Sequence, residues 1–280
     1  MTNTIAPLPN PLPPAGEGAD MVRRFGGVAR LYGEAGLAKF QAAHAVVIGI
    51  GGVGSWAAEA LARNAIGSIT LIDLDNIAES NVNRQLHAIE GAFGKSKVSA
   101  MHERILSINP SCILHEIEDF ITPTNLESML GALCSAGDSP ATVIIDCIDD
   151  APAKAALAAF CKQHKIALIM TGGAGGRLDP SKIKTADLAS VTNDRLLAKV
   201  RNLLRRDYNF PKGEKTQFGI HCVYSDEPVI IPDMTCEPGA LLADTSITGL
   251  NCAGYGSSVC VTAPFGFAAA ALALQQLLKL

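Results

Sequence analysis

The chain has 280 residues, 48% apolar and 18% charged, with a formal net charge of −4. That length and balance suit one large α/β domain with a full core rather than a chain too polar to fold. None of the eight cysteines forms a CxxC pair, which excludes a zinc ribbon or a thioredoxin-like dithiol.

The first twenty residues carry five prolines and little to bury, so 1–20 is expected to be a disordered leader. No secretory signal is read there, and reduced thiols in a cytoplasmic setting are expected. Arg23 to Phe40 reads as a helical arm. Ala45–Gly49 is a first strand, Val53–Asn64 a helix and Ser68–Asp73 a second strand. Lys95–Ser107 is a helix with Val98, Met101 and Ile105 on one face. "CILHEI" alternates as a strand, "ATVIIDC" suits a strand buried on both faces, Pro152–His164 is a helix and "IALIM" another buried strand.

This alternation predicts a doubly wound, mostly parallel Rossmann-like sheet with an antiparallel C-terminal extension. Residues 21–175 would form the nucleotide half and 176–280 a substrate-contacting half of the same domain. After "TGGAGG" comes a basic helix over 191–206, with Leu196, Leu197, Val200, Leu203 and Leu204 on its apolar side. "FGIHCVYS" and "PVII" read as short strands and 232–257 as a mobile loop. The apolar end, "SSVCVTAPFGFAAAALALQQLLKL", contains Pro264, Gly266, Gln275 and Gln276. It reads as a buried terminal helix rather than a membrane span.

The chemistry concentrates in "VVIGIGGVGSWAAEALARNAIGSITLIDLDNIAESNVNRQ". Gly49, Gly51, Gly52 and Gly54 follow a strand and lead into a helix, offering backbone N–H groups to phosphate. The loop alone does not separate NAD, FAD, SAM and ATP. Asp73, ending the second strand, could accept ribose hydroxyls. The extra acid Asp75, then Asn83, Arg84 and Gln85, then Lys97, could face a triphosphate. "DCIDD" brings Asp146, Asp149 and Asp150 to the carboxyl edge of the sheet, which suits Mg²⁺ and a pyrophosphate leaving group better than a hydride. The bland reading of Asp146 is a helix cap.

"GIGGVGSWAAEALAR", "LIDLDNIAESNVNRQ", "GKSKV…INP" and "DCIDD" resemble the adenylating family of ThiF, MoeB and the ubiquitin-activating enzymes. The resemblance implies attack of a carboxylate on the α-phosphorus of ATP·Mg²⁺. Asp73 would hold ribose, Asp75, Arg84 and Lys97 would face the phosphates, and Asp149 would hold magnesium. Arg84, Lys97 and Asp149 are thus the implied catalytic residues. The family places an arginine across a homodimer from its N-terminal arm; here Gly26 and Gly27 stand there, flanked by Arg24 and Arg30.

"RFGGVARLYGE", "TGGAGG…DP…DLA" and "GYGSSV…FGF" are similar to the tRNA threonylcarbamoyladenosine dehydratase branch, which lacks the zinc pairs. That branch implies ATP-dependent closure of a hydantoin ring on adenosine 37 of tRNA through an acyl adenylate. Residues 181–215 hold nine Lys or Arg against four Asp or Glu, so Lys199, Arg201, Arg205 and Arg206 become expected tRNA contacts. A Na⁺ or K⁺ ion near "TGGAGG" and a cysteine desulfurase or sulfur-acceptor system stay open as further expectations. DNA and membrane are not expected partners.

Three rival readings remain at this point. One is an adenylating activator of a ubiquitin-like sulfur-carrier protein, in which Cys236 or Cys252 could work as a thiol. The others are a non-catalytic adaptor, against which Asp75, Arg84, Lys97 and Asp149 argue, and an NAD dehydrogenase.

Overall fold

A computed structural model of the chain describes residues 17–131, 141–213, 216–231 and 255–279, with side chains from Met21 onward. Most of the expected leader, the bulk of the expected 232–257 loop, Cys134, Cys236 and Cys252 lie outside them. Helix α1 (Glu17–Ala42) kinks at Gly33, whose φ of 78° breaks the helical run.

Strand β1 (His44–Ile48) is buried along its whole length. It lies between β2 (Ser68–Ile72) and β4 (Thr142–Asp146), both parallel to it. Strand β3 (Ile113–Ile117) pairs with β2, β5 (Ala167–Thr171) with β4, and β7 (His221–Ser225) with β5, all parallel. Strand β6 (Ile183–Asp187) closes the far edge antiparallel to β7. The sheet order is β3-β2-β1-β4-β5-β7-β6, so the winding reverses between β1 and β4. Ligands of open α/β sheets bind at such a point, beyond the carboxyl ends of the strands.

Helices α2 (Gly54–Arg63), α3 (Lys97–Ile108) and α7 (Val259–Lys279) pack on one face around Val47, Leu61, Met101 and Phe265. Helices α4 (Leu126–Leu130), α5 (Ala151–His164) and α6 (Arg195–Asp207) cover the other around Ile48, Leu157, Met170 and Val200. Val98, Met101 and Ile105 form the buried face of α3 as their spacing predicts. Helix α7 is long and apolar enough to cross a membrane, yet Val261, Phe265, Ala269 and Leu274 are buried in the core.

Two departures from the sequence reading have local causes. "PVII" forms no strand: Ile230 N–H donates to Gly176 O at 2.8 Å, pinning the segment to a turn instead of a ladder. The basic helix begins at Arg195 rather than 191, because the Asp194 carboxylate accepts the Leu197 N–H at 2.9 Å and caps it there. Strand β6, unread in the sequence, is an exposed edge carrying Lys184, a residue type that discourages further pairing.

Candidate active site

The glycine loop leaves β1 with Gly49 at φ +85°, where an added Cβ would lie 2.9 Å from Cys147 O. Gly54 opens α2 so tightly that a Cβ would sit 1.9 Å from Gly49 O. These two glycines are therefore demanded by the backbone itself. Gly51 is different: a Cβ there would meet only Gln85 Nε2, at 3.9 Å. Its open side faces a cleft of about 680 Å³.

Asp73 ends β2 and is 8% exposed. Its carboxylate accepts the Ile50 N–H at 2.6 Å and the Asp75 N–H at 2.9 Å, so it shapes the glycine loop as well as bordering the cleft. Burial pushes its pKa up, opposed by the charge of Lys97. Lys97, the first residue of α3, is itself buried. Its Nζ lies 2.6 Å from Asp75 Oδ2 and 3.7 Å from Asp73 Oδ1. The three residues expected from the sequence to face one nucleotide are thus already linked.

Arg84 lines the cleft, donates to Ser80 O at 2.8 Å and Asn83 Oδ1 at 2.9 Å, and packs beside Gly52. Gln85 also lines it, 7% exposed, and its Oε1 has no partner among the described residues. Asn83 does not line the cleft. Its amide donates to Ser257 O at 2.8 Å, tying this segment to the chain ahead of α7.

The segment after β4 forms the opposite lip. Cys147, Ile148, Asp149 and Asp150 line it. Asp150, not Asp146, caps α5, accepting the Ala153 N–H at 2.8 Å. Asp146 is instead fully buried against Lys154, with Nζ to Oδ1 at 2.8 Å. The helix-cap reading of Asp146 is corrected accordingly: an i, i+8 acid–base pair across a strand-to-helix turn gives no periodic signal. Burial, by desolvation, pushes the Cys147 thiol up to about 12 against the charge of Lys154, and so favours its neutral form.

Sequence reasoning missed the far wall. Gly172 and Gly173 leave β5 against Asp194, which accepts the Gly173 N–H at 2.9 Å. Arg177, buried, lies 3.5 Å from Asp194 and donates to the carbonyls of Gly173, Ser225 and Glu227. Arg195 and Tyr255 complete that wall. The run "TGGAGG" marked a turn, but nothing local announced which acid would brace it.

The basic helix is less available than its charge count implies. Arg201 donates to Val191 O at 2.7 Å, Arg205 lies 5.5 Å over the Phe218 ring, and Arg206 pairs with Asp207 at 2.7 Å. Lys199 is exposed.

The cleft can therefore hold an anionic nucleotide. It combines open backbone at a helix N-terminus, Arg84 and Lys97 for phosphate, and an apolar wall of Ile72, Phe120 and Ile121 for a base. No group of three metal-ligating side chains occurs among the described residues. Mg²⁺ held by one or two carboxylates and substrate phosphates needs none, and Asp149 at the lip fits that role.

The sequence matches the model of the ThiF family over residues 26–279. It is 46% identical over 260 residues to a tRNA threonylcarbamoyladenosine dehydratase of Haemophilus influenzae, covering 92% of this chain and 94% of that one. The corresponding Escherichia coli protein is 45% identical over 258 residues, with 91% and 94% covered. Crystal structures of the E. coli enzyme with ATP and with AMP superpose with a TM-score of 0.80 each, at 43% and 42% identity, covering 93% of this chain and 96% of theirs.

Proposed function

The chain belongs to the ThiF family, and on that premise we propose that it dehydrates threonylcarbamoyladenosine at position 37 of tRNA, using ATP. It is an adenylate-forming enzyme that acts on tRNA. The observation that carries the reading is the convergence of Arg84, Lys97 and Asp149 on the open side of the glycine loop, at the β1/β4 switch point.

The reaction divides into two displacements. A carboxylate oxygen of the threonylcarbamoyl group attacks the α-phosphorus of ATP, and pyrophosphate leaves. The carbamoyl nitrogen then attacks the activated carbonyl, loses its proton, and expels AMP, closing the five-membered ring. The second step is intramolecular, so orientation supplies much of its acceleration and no thiol is required.

Several roles follow for this chain's residues. Gly51 and Gly52 present backbone to phosphate, and Asp73 borders the ribose position while fixing the loop. Arg84 and Lys97 neutralise the charge that develops on the phosphates. Asp149 would hold magnesium, whose chemistry is to neutralise the departing pyrophosphate. Residues 21–175 supply the nucleotide half and 176–280 the tRNA half, with Lys199 leading the expected tRNA contacts. We further assign a cytoplasmic homodimer in which Arg24 or Arg30 serves the neighbouring subunit. A monovalent cation at "TGGAGG" and a sulfur-transfer partner stand as open additions.

The test is exchange of labelled pyrophosphate into ATP. Exchange is expected only with tRNA bearing the open threonylcarbamoyl group. Exchange driven by a small carrier protein with a Gly-Gly tail would transfer the chain to the sulfur-carrier activators.

A further inference from the structure

Four cationic side chains line the cleft: Arg84, Lys97, Arg177 and Arg195. Three are engaged within the protein, Lys97 by Asp75, Arg84 by Ser80 O and Asn83, and Arg177 by Asp194 and three carbonyls. Arg195 is the exposed one, and its Nη1 donates to the Tyr255 hydroxyl at 3.3 Å. It occupies the first position of α6, where the helix dipole disfavours a positive charge. Helix stability therefore does not explain it.

Its surroundings supply a reason. A second open cavity of about 470 Å³, lined by Asn193, Asp194, Arg195, Ala198, Pro228 and Val229, adjoins the main cleft. Asp194, Arg195 and Val229 border both, so the guanidinium stands where the cleft opens into this groove. Lys199, exposed and one helical turn on, continues the same face outward. The Tyr255 ring rests against the glycine turn, since a Cβ on Gly176 would lie 3.4 Å from its Cδ1.

We propose that Arg195, aimed by Tyr255, is the receptor for an RNA phosphodiester flanking the modified adenosine. This rests on the tRNA-dehydratase reading. For the threonylcarbamoyl carboxylate to reach the α-phosphate of ATP, the nucleoside must enter the cleft. Its own 5′ and 3′ phosphates are then left at the mouth, where an exposed guanidinium can bind one bidentately. The ATP phosphates are served by Arg84 and Lys97 at the other wall.

The experiment measures ring closure on modified tRNA by wild type and by the Arg195→Ala, Arg195→Lys and Tyr255→Phe variants, each checked by melting temperature. Arg195→Ala is expected to raise KM for tRNA about 10-fold with KM for ATP unchanged, and to flatten the slope of log K against log salt by about one unit. Arg195→Lys should recover most of that slope. Tyr255→Phe should cost less, and nothing further in the Arg195→Ala background, since it acts through Arg195. Unchanged tRNA KM and salt slope in Arg195→Ala overturns the proposal, as does a rise in KM for ATP instead. A wild-type chain that leaves modified tRNA intact overturns the underlying function and this contact with it.

Discussion

Lys154 Nζ lies 2.8 Å from Asp146 Oδ1, and neither side chain exposes any surface. The same Oδ1 accepts the Ile148 N–H at 3.0 Å, so the pair fixes the start of the turn that carries Asp149 to the cleft. Asp146 Oδ2 has no partner among the described residues, and burial pushes this acid's pKa up against the pull of Lys154. Removing one member of such a pair leaves an uncompensated charge, whereas replacing both with apolar groups is often neutral. Lys154→Met is expected to cost about 3–5 kcal/mol in urea unfolding. Asp146→Leu with Lys154→Met should regain most of that stability yet turn over poorly, because Ile148 N–H loses its acceptor. A double variant as active as wild type would show that the pair has no bearing on the turn.

The glycine loop separates into structural and ligand-facing positions. Gly54→Ala forces a Cβ to 1.9 Å from Gly49 O, so the melting temperature should fall. Gly51→Ala meets nothing nearer than 3.9 Å, so folding should be normal while the methyl group intrudes on phosphate and raises KM for ATP. Calorimetry beside ATP titration distinguishes the two, and equal loss of stability in both variants would contradict the assignment.

Lys97→Ala and Asp149→Ala should each lower turnover by roughly 10²–10³, corresponding to ~3–4 kcal/mol of lost transition-state stabilisation. Lys97→Ala should also lower stability, because Lys97 is buried against Asp73 and Asp75. Near-normal ATP consumption by either variant removes its catalytic role.

The His87 ring is buried, neither nitrogen has a hydrogen-bond partner among the described residues, and its pKa is lowered to about 4, first by burial and then by the charge of Lys97. The unfolded ring titrates at 6.5, so below that pH the unfolded chain takes up a proton that the folded chain refuses. Its contribution is intact above 6.5, is lost as pH falls toward about 4, and changes no further below that. His87→Met should flatten the stability profile in that window by up to ~1.4 kcal/mol per pH unit. Unfolding curves that keep the wild-type slope would place the titration elsewhere.

Much of the nucleotide half was legible because its signals are local. Continuous apolar runs gave β1, β4 and β5, and the glycine spacing located the loop that follows β1. Asp73 directly follows β2 and Lys97 opens α3, so both could be placed at the sheet's carboxyl edge, with Asp75 two residues beyond Asp73. The far wall was not legible, since Asp194 and Arg177 meet across 17 residues and brace a turn whose glycines carry no side-chain signal. Counting charge on α6 also left out how its side chains are engaged within the protein. Arg201 and Arg205 point to a carbonyl and an aromatic ring, and only packing decides that. Asn83 belonged to a polar run, and its contact with Ser257, 174 residues later, gives no local signal.

The central claim is tested most directly by mass analysis of nucleosides from threonylcarbamoylated tRNA incubated with the chain and ATP·Mg²⁺. The account predicts that threonylcarbamoyladenosine loses one water, with one AMP and one pyrophosphate formed per ring closed, and that Asp149→Ala slows the change by roughly 10²–10³. Modified tRNA recovered unaltered, with ATP cleaved only when a Gly-Gly-tailed carrier protein is present, would contradict it.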